Sequence, residues 1–240
     1  MLRFLLAPIL CCSFALAAFG QTAPAPGKQE PQLFEKEVKV RLQYLLYLPE
    51  EYGKEPDKKW PLILFLHGMG ERGDDLEKVK EHGPPKLIAE GKQFPFIVVS
   101  PQCPRTQFWV TGQLFLLLDE ITEKYAVDKA RVYLTGLSMG GFGTWAAAAE
   151  QPERFAAIAP ICGGGEPAMA WRLRRTPIWA FHGAKDETVP LERSQQMVDA
   201  VKKAGGNVEF TLYPEAQHDS WTETYNNPKL YEWFLSHSRK

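Results

Sequence analysis

No charge of one sign dominates this chain. Its 240 residues hold 28 Lys and Arg against 29 Asp and Glu, a formal net charge of −1. A protein built to neutralise phosphates carries a basic surplus or a basic stripe, so no nucleic-acid partner is expected. Cysteine is scarce: there are four, and Cys11 and Cys12 fall in the first twenty residues. Beyond that pair no two cysteines sit at short spacing, and no two histidines sit at helical spacing. The signatures of a metal site are therefore missing, and no metal or cofactor is expected. Internal repeats are absent too. The one long apolar run, Phe4 to Phe19, is shorter than the roughly 20 residues a membrane span needs.

That run has the layout of an export signal. Arg3 supplies the positive start, the apolar stretch follows, and Ala18-Phe19-Gly20 puts small residues at the −3 and −1 positions before Gln21. Residues 1–20 are expected to be a secretory signal peptide, cleaved before Gln21. The mature chain would be secreted or periplasmic, with no membrane association. It would keep only Cys103 and Cys162, and loss of Arg3 would leave 27 basic against 29 acidic residues, a charge of −2. Residues 21–33 are rich in proline and lack any hydrophobic period, as a flexible leader does. Residues 34–240 are long enough for one large domain.

Within that domain strand-like and helix-like segments alternate. Val38, Val40 and Leu42 alternate with polar residues, and Tyr44 to Leu48 follows; together they predict two antiparallel edge strands. Leu62 to Leu66 is a continuous apolar run, the pattern of a strand buried on both faces. Phe96 to Ser100, Val132 to Thr135, Ala156 to Ile161, Ile178 to Phe181 and Val208 to Tyr213 are similar. Helical spacing appears in Leu114, Leu117, Leu118, Ile121 and Tyr125, and again over Leu191 to Ala204. Gly205-Gly206 ends the latter, and Asn227-Pro228 opens a last helix. The order predicts an α/β fold with eight strands, mostly parallel, and helices on both faces. Function in such sheets sits at the carboxyl ends of the strands.

One turn at such an end has the composition of a nucleophile site. Gly136-Leu137-Ser138-Met139-Gly140 lies between a strand and a small-residue helix. A serine in this setting sits on a sharp turn at a helix N-terminus, where developing negative charge is favoured. Serine needs a base. Of the five histidines, His218 lies in the loop after the last strand, and chain order in such sheets runs serine, acid, histidine. Asp186, leaving the strand that ends at His182-Gly183, is the expected acid, with Glu187 its neighbouring rival. The oxyanion hole is expected from the backbone N–H groups of Met69 and Met139. His67 reads as a structural hydrogen-bonder.

These stretches resemble the α/β-hydrolase superfamily. More narrowly they are similar to its secreted dienelactone-hydrolase-like and feruloyl-esterase-like group, which includes peptidases of the prolyl-oligopeptidase type. FLHGMGERGDD (65–75), TGLSMGGFGTW (135–145), FHGAKDETVP (181–190) and YPEAQHDSW (213–221) carry the likeness. The resemblance implies a triad of Ser138, Asp186 and His218. One departure stands out: true dienelactone hydrolases place a cysteine where this chain has Ser138.

Only Gly163 to Pro177 separates the sixth and seventh strands, too little for a cap domain, so the site should be open. Phe108, Trp109, Trp221 and Glu71 lie in loops at the same edge and are candidate substrate contacts. The expected activity is hydrolysis of carboxylic esters, on a small-molecule or polysaccharide substrate. A serine peptidase and a non-catalytic carbohydrate-binding protein are the alternatives. Nothing in the sequence decides between a monomer and an oligomer. Cys103 and Cys162 should end strands with two others between them, about 14 Å apart, beyond the reach of a disulfide.

Overall fold

The computed structural model describes residues 26, 27, 29 and 31–239. The expected signal peptide, 1–20, lies outside the described residues, as does much of the leader. The chain divides into two compact units, Met1–Lys39 and Val40–Lys240. In the first, residues 31–39 carry no helix or strand. The second holds all the regular structure found among the described residues. No helix among the described residues is long and apolar enough to cross a membrane.

Seven strands form one sheet: β1 (Gln43–Tyr47), β2 (Trp60–Leu66), β3 (Ile97–Gln102), β4 (Val127–Leu137), β5 (Ala157–Ile161), β6 (Ile178–Gly183) and β7 (Val208–Tyr213). Their order is β1-β3-β2-β4-β5-β6-β7. Only β1 runs antiparallel, against β3; the other pairs are parallel. The eighth strand expected at Val38 to Leu42 is not there. Val38 is 77% exposed, and the stretch carries no strand. Alternation makes a segment able to be a strand, but a strand exists only where a ladder takes up its backbone groups.

The strands explain the two-sided core. All seven residues of β2 are buried. Leu62, Leu64 and Leu66 join one cluster while Ile63 and Phe65 join the other, because successive side chains leave opposite faces. On the first face pack α2 (Thr111–Lys124), α3 (Met139–Glu150) and α4 (Glu192–Lys203). The second face is covered by α1 (Gly83–Ala89), α5 (Trp221–Asn226) and α6 (Pro228–Leu235). Each apolar side chain moved from water into these layers contributes about 1.5–3 kcal/mol. Between β5 and β6 there is a single 3-10 helix, Pro167–Leu173, so no cap covers the carboxyl edge.

Cys103 follows β3 and Cys162 follows β5, with β2 and β4 between them. Both are buried free thiols. Burial pushes Cys103 up to about 11 and Cys162 up to about 12, so neither supplies a thiolate near neutrality. Iodoacetamide should modify neither residue in the native protein and both in denaturant. Peptide mass mapping that finds native Cys162 alkylated would contradict this.

Candidate active site

β2 to β7 all release their chains at one edge, and the site is assembled there. Ser138 follows β4 and precedes α3. Its backbone has φ 52° and ψ −117°, a left-handed value costly for a non-glycine residue, about 1–3 kcal/mol. Two features hold it. Its N–H donates to Ile161 O at 3.0 Å, and its carbonyl accepts Phe142 N–H at 3.0 Å. The flanking glycines are a steric requirement. A Cβ on Gly136 would lie 2.5 Å from Gly140 O, and one on Gly140 would run into the Leu66 carbonyl. Strand β2, strand β4 and helix α3 meet here backbone to backbone.

Ser138 Oγ lies 2.9 Å from His218 Nε2, and His218 Nδ1 lies 2.7 Å from Asp186 Oδ2. A carboxylate only accepts, so Nδ1 carries the proton and Nε2 is free to accept from the serine hydroxyl. Asp186 is fixed in turn: its Oδ1 accepts the N–H groups of Thr188 (2.8 Å) and Val189 (2.9 Å). Its side chain is fully buried, while that of His218 is 22% exposed. Three residues separated by long stretches of chain thus form one hydrogen-bonded line.

His182 lies behind that line. Its Nε2 is 2.9 Å from Val189 O and 3.3 Å from Asp186 Oδ2, and its Nδ1 is 2.7 Å from Ser194 Oγ. Val189 O and Asp186 Oδ2 are both acceptors, so the proton sits on Nε2. Burial lowers its pKa. Its contact with Asp186 became visible only in three dimensions.

The loop after β2 faces the serine. Gly68 N–H donates to Glu71 Oε2 at 2.7 Å. The N–H groups of Met69 and Met139 have no hydrogen-bond partner among the described residues. That of Met139 is one of the orphan donors at a helix N-terminus. Both methionines line a cavity of about 620 Å³ together with Ser138 and His218. Two N–H donors beside a serine–histidine pair are what stabilisation of a tetrahedral oxyanion requires.

The rest of the cavity wall is mostly apolar: Leu137, Phe142, Val189, Phe108 and Trp221. Trp221 stands edge-on to His218, centroids 5.1 Å apart. It begins helix α5 rather than lying in a loop. Trp109 does not line the cavity, which corrects its expected role. Its indole N–H donates to His67 O at 3.1 Å, and its ring packs on His67 at 4.8 Å. Glu71 does line the wall but is only 5% exposed. Phe142 and His82 were missed as wall residues. Nothing in the sequence around them marks an orientation.

Two groups of possible metal ligands converge among the described residues: Cys162, Asp186 and His218, and Glu71, Glu81 and His82. In the first, the carboxylate and the imidazole are spent on each other and the thiol is held protonated. In the second, one Glu71 oxygen already accepts Gly68 N–H.

His67 is fully buried, and its Nε2 accepts Cys103 N–H at 2.9 Å while its Nδ1 meets Gly68 O at 2.6 Å. That pattern needs a neutral ring with the proton on Nδ1. Burial lowers its pKa from 6.5 to about 4. The unfolded chain therefore binds more protons than the folded one between those values, and stability is full above pH 6.5 and falls as pH drops toward 4. The loss through this group by pH 4 is about 3 kcal/mol. Thermal melts should fall steeply across that window, and His67→Gln should flatten the slope. An equal slope in the variant would refute the assignment.

A doubly covered, mostly parallel sheet with a serine–histidine–aspartate line at its carboxyl edge defines an α/β-hydrolase. The model of the dienelactone hydrolase family matches residues 104–231, and the chain belongs to that family. It is 29% identical over 188 residues to a bifunctional acetylxylan esterase/xylanase of Neocallimastix patriciarum, covering 72% of this chain and 26% of that one. To an endo-1,4-beta-xylanase/feruloyl esterase of Xylanibacter ruminicola it is 29% identical over 196 residues, 74% of this chain and 27% of the other. The chain thus spans about a quarter of the length of these curated relatives. A solved thermostable esterase superposes with a TM-score of 0.74 at 34% identity, over 85% of this chain and 61% of that chain.

Proposed function

We propose that the protein is an exported serine esterase that cleaves carboxylic esters of carbohydrates or phenolic acids. The observation that carries this reading is the continuous line from Ser138 through His218 to Asp186, opening on an uncapped, largely apolar cavity beside two free N–H groups. The two bifunctional relatives, each named for an esterase joined to a xylanase, favour plant polysaccharide esters.

The chemistry follows from the geometry. Ser138 Oγ attacks the ester carbonyl carbon as His218 Nε2 takes the hydroxyl proton. Asp186 stabilises the imidazolium. The oxyanion is held by the N–H groups of Met69 and Met139, each worth roughly 2.7–4 kcal/mol in the transition state. Collapse breaks the C–O bond, and His218 returns its proton to the leaving alkoxide. Water, deprotonated by the same imidazole, then attacks the acyl-enzyme; the acyl C–Oγ bond breaks, His218 hands the proton to Ser138 Oγ, and the acid leaves.

A panel of acetyl, feruloyl and glucuronoyl esters tests the reading, with peptide anilides beside it. Turnover of esters together with fluorophosphonate labelling at Ser138 is expected. Protein that does neither would sink the enzyme assignment, and faster turnover of amides would reverse the ester preference. For export, the mature protein outside the cytoplasm should begin at Gln21. Protein retained with its first twenty residues would count against it.

A further inference from the structure

The cavity wall carries a polar pair that the reaction above does not use. Glu71, in the loop after β2, is 94% buried in its side chain, and one oxygen, Oε2, is committed to Gly68 N–H. Among the described residues, no other residue donates a hydrogen bond to its second oxygen, Oε1. His82 faces it, with Nε2 4.0 Å from Oε1. That gap is too long for a direct hydrogen bond. It is the spacing at which one oxygen atom can sit about 2.8 Å from both groups. His82 is held there by its ring contact with Trp221, centroids 5.3 Å apart, and Trp221 in turn stands against the triad histidine. Both members of the pair line the cavity, among walls that are otherwise mostly apolar.

We propose that Glu71 and His82 form a subsite for a neutral hydroxyl group of the ester substrate, which donates to Glu71 Oε1 and accepts from His82 Nε2. The inference rests on the esterase reading and adds to it what the substrate must present. A hydroxyl is the smallest group that both donates and accepts at one atom. An anionic group would meet the Glu71 carboxylate. With the ring proton on Nε2, as this subsite requires, an ammonium would bond Glu71 but face a donor at His82. A substrate that covers the pair without offering a hydroxyl strips these polar groups of solvent and returns no hydrogen bond, so it binds against a penalty. Two sources offer this chemistry: the ring hydroxyl of a phenolic acyl group, and a sugar hydroxyl beside the ester oxygen.

Two matched substrate pairs separate them. Methyl p-coumarate against methyl cinnamate varies the acyl hydroxyl, and 2-hydroxyethyl acetate against propyl acetate varies the alcohol one. The readout is the ratio of kcat/KM within each pair, which cancels general damage to the enzyme. For one pair the wild-type ratio should exceed that of His82→Phe by about tenfold or more, and the pair that responds names the source. Glu71→Gln serves as the second variant and should lower the same ratio. Ratios unchanged in both variants, with all four esters cleaved, would overturn this inference and leave the esterase reading intact. Failure of wild type to cleave any of the four overturns both. A ratio erased by EDTA would mean that a cation bridges the pair, and would also overturn it.

Discussion

Ser138→Ala should lower kcat on an aryl acetate by roughly 10⁴–10⁶-fold and abolish fluorophosphonate labelling. The expected loss is large because the three residues act as one device. With no Oγ, His218 Nε2 has nothing to activate at 2.9 Å, and the Asp186 anchor on Thr188 and Val189 N–H orients a base without a nucleophile. Residual turnover would come from the two N–H donors and the cavity alone. The variant should fold. Alanine inherits the same φ of 52°, and the Ser138 N–H to Ile161 O bond does not involve the side chain. A steady-state assay with a burst-phase control checks this. An alanine variant retaining a tenth of wild-type turnover would remove Ser138 from the mechanism.

Gly140→Ala should be the most damaging small substitution in the fold, costing about 3 kcal/mol or more. One methyl group is added, but it points at the carbonyls of Leu66 and His67. A side chain could rotate away; backbone in the middle of a buried sheet cannot. Either α3 lifts from β2, which opens the core between Trp145 and Leu66, or β2 shifts and carries the Met69 loop with it. For a domain of this size the melting temperature should drop by roughly 6–12 °C, and activity should fall further than stability because the turn that carries Ser138 itself moves. Denaturant melts and thermal scans measure the first, kcat/KM the second. An unchanged melting temperature would show that the close approach of β2 and α3 is not kept in solution.

Both expectations begin from residues that could be read in the sequence. Gly136-Leu137-Ser138-Met139-Gly140 is a local pattern whose meaning is steric, and a steric demand is written where it acts. His218 and Asp186 were legible through chain order, because a parallel sheet returns every strand to the same edge. The five inner strands, β2 to β6, were legible as apolar runs, since a strand covered on both faces has no polar side to hide.

Other features were not. Val38, Val40 and Leu42 had the alternation of a strand yet form none, because pairing depends on a neighbour and not on the segment. Trp109 and Trp221 were equal candidates as aromatic loop residues, and the fold separated them. Trp109 is drawn under the loop by a bond to the His67 carbonyl. Trp221 starts a helix that stands it against His218. Glu71 was expected to meet substrate and is in part a clamp on Gly68.

The sequence alone therefore determined the layers of this protein, its glycine-flanked serine turn and the chain order of the serine, aspartate and histidine that meet there, because those rest on short-range sterics and on the topology of a parallel sheet. Only the tertiary structure decided which side chains face the cavity, what His182 and Glu71 hold in place, and how His82 comes to lie beside a carboxylate. Such choices are made by contacts between segments far apart in the chain, where a hydrogen bond to one distant carbonyl or amide outweighs any local preference.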